Sequence, residues 1–189
     1  MRLIIGITVL IAAAVVVGYA KSKKATRDES PEARKGNPYS DLRIAVLNLK
    51  GPEIGLKENS PEIIACLMET GYEDGSATLV MVADGTVSLY TSNGGGTIGA
   101  GEHEKIRDEA KTFLKLALAK VAEMQPVTSY PVPINGHTTF YFKKSGKIYS
   151  HTEKEDDLGN NRSTFSKIFL QGHAVISGIQ EMEADAHEK

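Results

Sequence analysis

The amino-acid sequence predicts an α+β domain, an antiparallel sheet of two hairpins with helices packed on it, preceded by a transmembrane helix and a linker. Two pairs of apolar and β-branched runs, in residues 77–92 and 137–152, each surround a turn dipeptide, as in β-hairpins. Residues 102–124 carry apolar side chains at helical spacing. Residues 3–20 contain no charge and are apolar almost throughout. These features predict the element order α-ββ-α-ββ-α after the apolar segment.

The apolar segment is long enough to cross a bilayer. A helix of eighteen residues spans about 27 Å at ~1.5 Å per residue, close to the hydrocarbon thickness of about 30 Å. We therefore predict a transmembrane signal-anchor over residues 1–20 that contacts membrane lipid through residues 3–20. The alternative is a secretory signal cleaved near Ala20, with small residues at Gly18 and Ala20, which would export the rest of the chain.

Residues 21–40 are predicted to form a polar, basic linker. They hold six basic and three acidic residues and almost no apolar ones, which is typical of a solvated segment. Because basic residues stay cytoplasmic, the cluster from Lys21 to Arg27 favours a single-pass membrane protein with a cytoplasmic body. Contact of this cluster with anionic headgroups is one interpretation, and a tether and topology signal without lipid specificity is the other.

The composition of the body indicates one globular domain, which we assign to residues 41–180. The chain is 41% apolar and 24% charged, as in folded proteins. Its net charge of −2 gives no support to nucleic-acid binding. The single cysteine, Cys66, excludes an internal disulfide and a multi-cysteine zinc site.

The first two elements of the domain are short segments at residues 42–51 and 61–70. Residues 42–51 form a short apolar element that is either a strand or a helix. Residues 61–70 predict a helix, with Pro61 at its first position and Gly71 at its end. Cys66 would lie in this helix as a small buried hydrophobe without reactivity.

The first hairpin has the strongest local signal. Asp84-Gly85 favours a two-residue turn with positive φ between residues 77–83 and 86–92. The first of these strands is apolar throughout and is therefore predicted to lie inside the sheet. Residues 102–124 then predict a long helix. Its apolar stripe comprises Ile106, Ala110, Phe113, Leu114, Ala117, Val121 and Met124.

The remaining elements follow a proline-containing connector at residues 126–133. Residues 137–152 predict the second hairpin, turning at Ser145-Gly146. An acidic loop leads to a last helix that Ser163 can cap, and residues 181–189 are predicted to be a frayed polar tail. The apolar stripe of the last helix comprises Phe165, Ile168, Phe169, Gly172, Val175, Ile176 and Ile179.

In the order of these elements, the chain resembles the roadblock and longin-like family of small profilin-like adaptor domains. The resemblance is carried by residues 77–92, 102–124 and 138–152 and by the helix that contains Phe165. It implies a scaffold role, with a protein partner or a homodimer.

The main candidate for a ligand site is the glycine-rich loop at residues 92–101. Gly94, Gly96 and Gly99 satisfy the pattern G-x-G-x-x-G, in which backbone N–H groups can approach a phosphate at a helix start. The alternative is a turn in which glycines allow positive φ or close packing. A P-loop is excluded because no Gly-Lys-Ser/Thr triplet follows. The candidate ligand-binding residues are Asn93, Gly94, Gly95, Gly96, Thr97, Gly99, Gly101 and His103.

No residues have the arrangement of a catalytic or metal site, and no cofactor is predicted. His103 has no second histidine at metal-site spacing. His151 and the acidic residues 153–157 could collect a cation, but they lack the spacing of a calcium loop and are typical of a charged surface turn. No G-x-S-x-G motif occurs.

The predicted function is therefore that of a single-pass membrane-anchored binding or scaffold module acting by protein contact near the membrane. The alternative is a membrane-tethered enzyme or sensor that binds a nucleotide or phosphate at Gly94–Gly101.

Overall fold

The computed structural model describes residues 38–57 and 59–187. The predicted anchor and residues 21–37 of the predicted linker lie outside the described residues. In the part of the chain that the structure describes, no helix is both long and apolar enough to cross a membrane.

Within the described residues, seven strands form one antiparallel sheet in the order β4-β3-β2-β1-β6-β7-β5, which confirms the α+β class. The strands are β1 (Ile63–Tyr72), β2 (Gly75–Val82), β3 (Val87–Thr91), β4 (Gly96–Ile98), β5 (Gln125–Val127), β6 (His137–Lys144) and β7 (Lys147–Lys154). The helices are α1 (Pro38–Asn48), α2 (Glu104–Lys120), α3 (Glu155–Gly159) and α4 (Ser166–His187), with short 3₁₀ helices at Gly51–Ile54, Ala100–Glu102 and Val121–Glu123.

The prediction of a helix at residues 61–70 is wrong, because this segment forms β1 at the centre of the sheet. Leu67 pairs with Val80 on one side and with Tyr141 on the other. A central strand is buried on both faces, so its continuous apolar run has the same pattern as a buried helix. Cys66 is fully buried, as predicted, and burial raises the pKa of its thiol well above the ordinary value.

The first hairpin is confirmed, and its first strand lies inside the sheet, but the turn has three residues rather than two. Gly85 N–H donates to Val82 O at 3.0 Å, and Gly85 has a φ of 95°. Asp84 is not among the residues with positive φ. Its carboxylate instead accepts the Thr86 N–H at 2.9 Å, which favours a type I turn followed by a left-handed glycine.

The second hairpin is confirmed with the predicted two-residue turn. Ser145 and Gly146 have φ values of 49° and 74°, as a type I′ turn requires. β6 and β7 pair along their whole length, from Lys144 opposite Lys147 to His137 opposite Lys154. The proline-containing connector contributes β5, which pairs with β7 at one edge of the sheet.

Helices cover both faces of the sheet. α2 and α4 pack on one face, and both predicted apolar stripes point into this core, with only Leu114 and Ile176 partly exposed. α4 continues to His187 and so includes residues 181–187, for which we predicted a frayed tail. The undecided element at residues 42–51 is helical, since it contains most of α1 and the start of a 3₁₀ helix. α1 and the connector cover the opposite face.

The domain has two ends along the direction of its strands. β1 runs from one end to the other and has ten residues. At ~3.3 Å per residue the two ends are about 30 Å apart. We call the end at which α1 begins the tether end, because Tyr39 is hydrogen-bonded there to Ser76, the partner of Gly71. We call the other the far end. There the Gly85 turn contacts Gly101, just before α2.

Candidate functional site

The glycine-rich loop does not form one continuous cradle. Asn93, Gly94 and Gly95 lie in the turn between β3 and β4 at the tether end, where the Gly94 N–H donates to Thr91 O at 3.2 Å. Gly96 and Thr97 belong to the edge strand β4 and pair with Tyr90 and Leu89. Gly99, Gly101 and His103 follow toward the far end, so the candidate residues are spread along β4.

Two backbone N–H groups just before α2 are engaged within the protein. The N–H groups of Glu102 and His103 donate to Gly99 O and Ala100 O, both at 3.1 Å. A Cβ at Gly101 would lie only 1.9 Å from Gly85 O. Gly101 is therefore required for close packing of the loop on the first hairpin, which is the second of the two roles predicted for these glycines.

His103 instead lines a groove at the far end, between the start of α2 and the last three turns of α4. The groove has a volume of about 640 Å³. We call it the far groove, and it is lined by His103, Lys105, Ile106, Gly178, Glu181, Met182, Glu183, Asp185 and Ala186. Ile106 is buried at its base, whereas the charged side chains are exposed.

The charge of the far groove is negative. Lys105 pairs with Glu181 at 2.6 Å, and this hydrogen bond raises the pKa of the Lys105 ammonium. Glu183 accepts a hydrogen bond from the Thr97 hydroxyl, and Asp185 adds a third carboxylate. One lysine among three carboxylates repels an anion, so the groove favours a cationic ligand over a phosphate.

The carboxylates of this groove lie in residues 181–187, which the sequence predicts to be part of a frayed tail, so periodicity alone does not indicate a site there. One signal was present in the chain. Met182 continues the apolar spacing of Val175 and Ile179 by almost one more helical turn, and it is partly buried against the core.

Three polar side chains near the start of α4 have the composition of a catalytic triad but a different arrangement. Glu153 accepts hydrogen bonds from both the Ser163 hydroxyl and His151, whose Nε2 lies 3.0 Å from its carboxylate. Ser163 therefore has no hydrogen bond to a histidine base, which nucleophilic catalysis requires. The Ser163 hydroxyl also accepts the Phe165 N–H at 3.0 Å in the turn just before α4, where the sequence predicts a cap.

The acidic residues after β7 form ion pairs within the protein. Arg162 pairs with Asp156 and Asp157, the latter at 2.8 Å. Among the described residues, no group of three or more histidine, cysteine, aspartate or glutamate side chains is placed to hold a metal ion.

A polar cluster lies buried between α1 and the sheet. Arg43 binds Glu69 through two hydrogen bonds, at 2.6 and 2.7 Å, and Glu69 is 0% exposed. Thr78 also donates to Glu69, and the Tyr39 hydroxyl is hydrogen-bonded to Thr78 at 2.9 Å. These groups satisfy one another, so the cluster holds α1 on the sheet rather than presenting a surface to a ligand.

Two tyrosines border this cluster. Burial and the nearby Glu69 carboxylate raise the pKa of Tyr141 to about 12 and that of Tyr90 well above its ordinary value. The Tyr141 hydroxyl donates to Pro131 O at 2.6 Å, which fixes the connector to the sheet. Both tyrosines are therefore protonated at neutral pH and act as structural groups.

By its fold and surface, the chain is an α+β domain whose helices cover both faces of an antiparallel sheet and which carries an acidic groove at one end. No protein-family model, curated protein or solved structure matches the chain. The resemblance to the roadblock and longin-like family stays a prediction. Function has to be inferred from the geometry of the described residues.

Proposed function

We propose that the chain is a single-pass membrane-anchored binding module that contacts a protein partner through the far groove. Residues 3–20 anchor it, residues 21–37 tether it, and the basic residues after the anchor favour a cytoplasmic body. The observation that carries the proposal is the position of the groove. The tether joins the domain at the start of α1, and the far groove lies at the opposite end of the sheet.

The lining of the groove indicates which kind of partner would fit it. Its apolar residues, including Ile106 and Met182, fit an apolar side chain, and its three carboxylates favour basic side chains beside it. We therefore infer a partner segment that carries lysine or arginine on both sides of an apolar residue. Complementary charge accelerates association and selects against acidic partners.

The proposal predicts a charge-dependent contact at the groove. A photo-cross-linking residue in place of His103, in the full chain in its native cells, is expected to capture a distinct protein. The double variant Glu183→Lys, Asp185→Lys should reduce this product about tenfold, equivalent to about 1.4 kcal/mol. The matched control, Glu73→Lys with Asp74→Lys, reverses two exposed carboxylates at the tether end and should leave the product unchanged.

Two results would contradict this prediction. A product that is equally strong in both double variants would show that the groove charge does not select the partner. A product of twice the mass of the chain would assign the groove to a second copy, as in the predicted homodimer. The melting temperature of each variant separates loss of binding from loss of the fold.

The glycine-rich loop predicts a separate result for the nucleotide-binding alternative. Because its candidate residues are spread along β4 rather than gathered in one cradle and the neighbouring groove is acidic, millimolar ATP or inorganic phosphate should leave the melting temperature of residues 21–189 unchanged. A ligand at 100 times its Kd would instead stabilise the protein by about 2.7 kcal/mol. A rise in melting temperature that disappears in Thr97→Val or His103→Ala would favour the alternative.

A further inference from the structure

The tether end of the domain carries three exposed apolar side chains. Ile134 is 71% exposed, Tyr72 is 48% exposed and Val132 is 45% exposed. Tyr72 is the last residue of β1. Val132 lies on the connector, and Ile134 follows it directly, where the chain passes the end of the same strand. We call these three residues the apolar end.

Residues 134–136, directly after the connector, are held tightly where they pass β1. Gly136 N–H donates to Gly71 O at 3.0 Å, and Asn135 forms a parallel bridge with Gly71. A Cβ at Gly71 would lie 2.3 Å from Ile134 O, so the two backbones are in direct contact. Ile134 is therefore exposed on a fixed part of the fold. Exposure of this apolar side chain to water is unfavourable in free energy, and a binding partner that covers it would remove this cost.

The chain enters the domain at this same end. Tyr39, in the first turn of α1, is hydrogen-bonded to Ser76 and Thr78. Toward the other end of α1, Leu47 O accepts a hydrogen bond from Lys143, which lies near the start of β1. α1 thus runs from the tether end toward the far end, and residues 1–37 join the domain beside the apolar end.

We propose that the apolar end rests on the lipid bilayer, with Tyr72, Val132 and Ile134 in the interfacial region. This inference rests on the membrane anchor of the proposed function. Residues 21–37, which the composition predicts to be a solvated linker, would span about 20–25 Å as a flexible coil and about 60 Å at most when fully extended. A linker of this length would keep this end of the domain close to the bilayer surface. Tyrosine is enriched at membrane interfaces because its ring is apolar and its hydroxyl is polar.

The contact is apolar rather than electrostatic. Glu73 and Asp74 are exposed in the turn after Tyr72, and both would be repelled by anionic headgroups. The domain itself is therefore expected to contact a zwitterionic lipid surface more strongly than an anionic one. In this orientation the far groove points away from the bilayer, where a protein partner can reach it.

Tryptophan fluorescence tests this orientation, because the chain contains no tryptophan. The full chain is placed in phosphatidylcholine nanodiscs as the single-tryptophan variant Ile134→Trp, with and without brominated lipid. The proposal predicts that brominated lipid removes most of the emission. The matched control is Ile98→Trp, because Ile98 is 54% exposed on β4, which runs toward the far end. Its emission should be unaffected.

The other possible outcomes separate failure of the bilayer contact from failure of the membrane anchor. Equal quenching of both variants, or of neither, in chains that elute with the nanodiscs would overturn the bilayer contact alone. A blue shift of the Ile134→Trp emission that grows with protein concentration in lipid-free detergent would show that a second copy covers the apolar end. Failure of the chain to elute with nanodiscs would instead contradict the anchor. Val132→Trp provides a second reporter if Ile134→Trp does not fold.

Discussion

Replacing Arg43 with alanine is expected to lower the free energy of unfolding by about 3–5 kcal/mol, because it leaves the Glu69 carboxylate buried without its counter-ion. Glu69 is inaccessible to water, and Thr78 alone cannot replace two charge-assisted hydrogen bonds. Arg43 also lies over the ring of Tyr141, at 5.5 Å, and this contact is lost as well. Urea denaturation of residues 21–189, which retain all of α1, measures the change.

An exposed ion pair provides the control for this experiment. Lys105→Ala breaks the pair with Glu181, and no measurable change in the free energy of unfolding is expected, because both side chains are solvated. Adding Glu69→Gln to Arg43→Ala should recover part of the loss by removing the unpaired charge. A loss for Arg43→Ala no larger than that for Lys105→Ala would show that the pair does not hold α1 on the sheet.

Replacing Gly101 with alanine is expected to be the second severe change, although it adds only one methyl group. The new Cβ would lie 1.9 Å from Gly85 O and 3.1 Å from Val87 N, and both are backbone atoms of the first hairpin. Neither can rotate away, so the 3₁₀ turn before α2 must move. We expect a loss at or above the upper end of the ~1–3 kcal/mol range for overpacking, measured by urea denaturation.

Gly99 offers a matched control in the same loop. A Cβ there has no neighbour within 4 Å, but Gly99 has a φ of 83°. Gly99→Ala should therefore lose only the ~1–2 kcal/mol of left-handed strain. Equal losses for the two variants would contradict the close-packing role of Gly101 and would leave backbone conformation as the reason for both glycines.

The elements that could be predicted from the sequence are those with a complete local signal. The second hairpin has Ser145-Gly146 at the positive-φ positions of its turn, and its strands contain β-branched and aromatic residues. α2 shows its buried face as a stripe at helical spacing. Cys66 could be predicted to be buried because its neighbours are apolar, even though the element around it was assigned wrongly.

α1 shows why other elements could not be assigned. Its contacts with the sheet are made by Tyr39, Arg43 and Leu47, so a polar, a charged and an apolar residue share the buried face. Such a face gives no apolar stripe. The buried face of α1 can be recognised only from its contact with Glu69, which lies 26 residues after Arg43 in the chain and beneath the helix in the fold. The far groove could not be predicted for the same reason, because His103 and Glu183 are brought together only by the packing of α2 on α4.

Local signals in the chain are enough to predict the α+β class, both hairpins, the long helix and its buried stripe, because turn geometry and side-chain periodicity act within a few residues. Residues 63–72 form the central strand only because they pair with β2 and β6, and this pairing outweighs an apolar pattern that a helix shares. The tertiary structure also decided the two ends of the domain. The contact of Gly71 with Asn135 and that of Gly85 with Gly101 join distant parts of the chain, and no local signal in the sequence specifies such contacts.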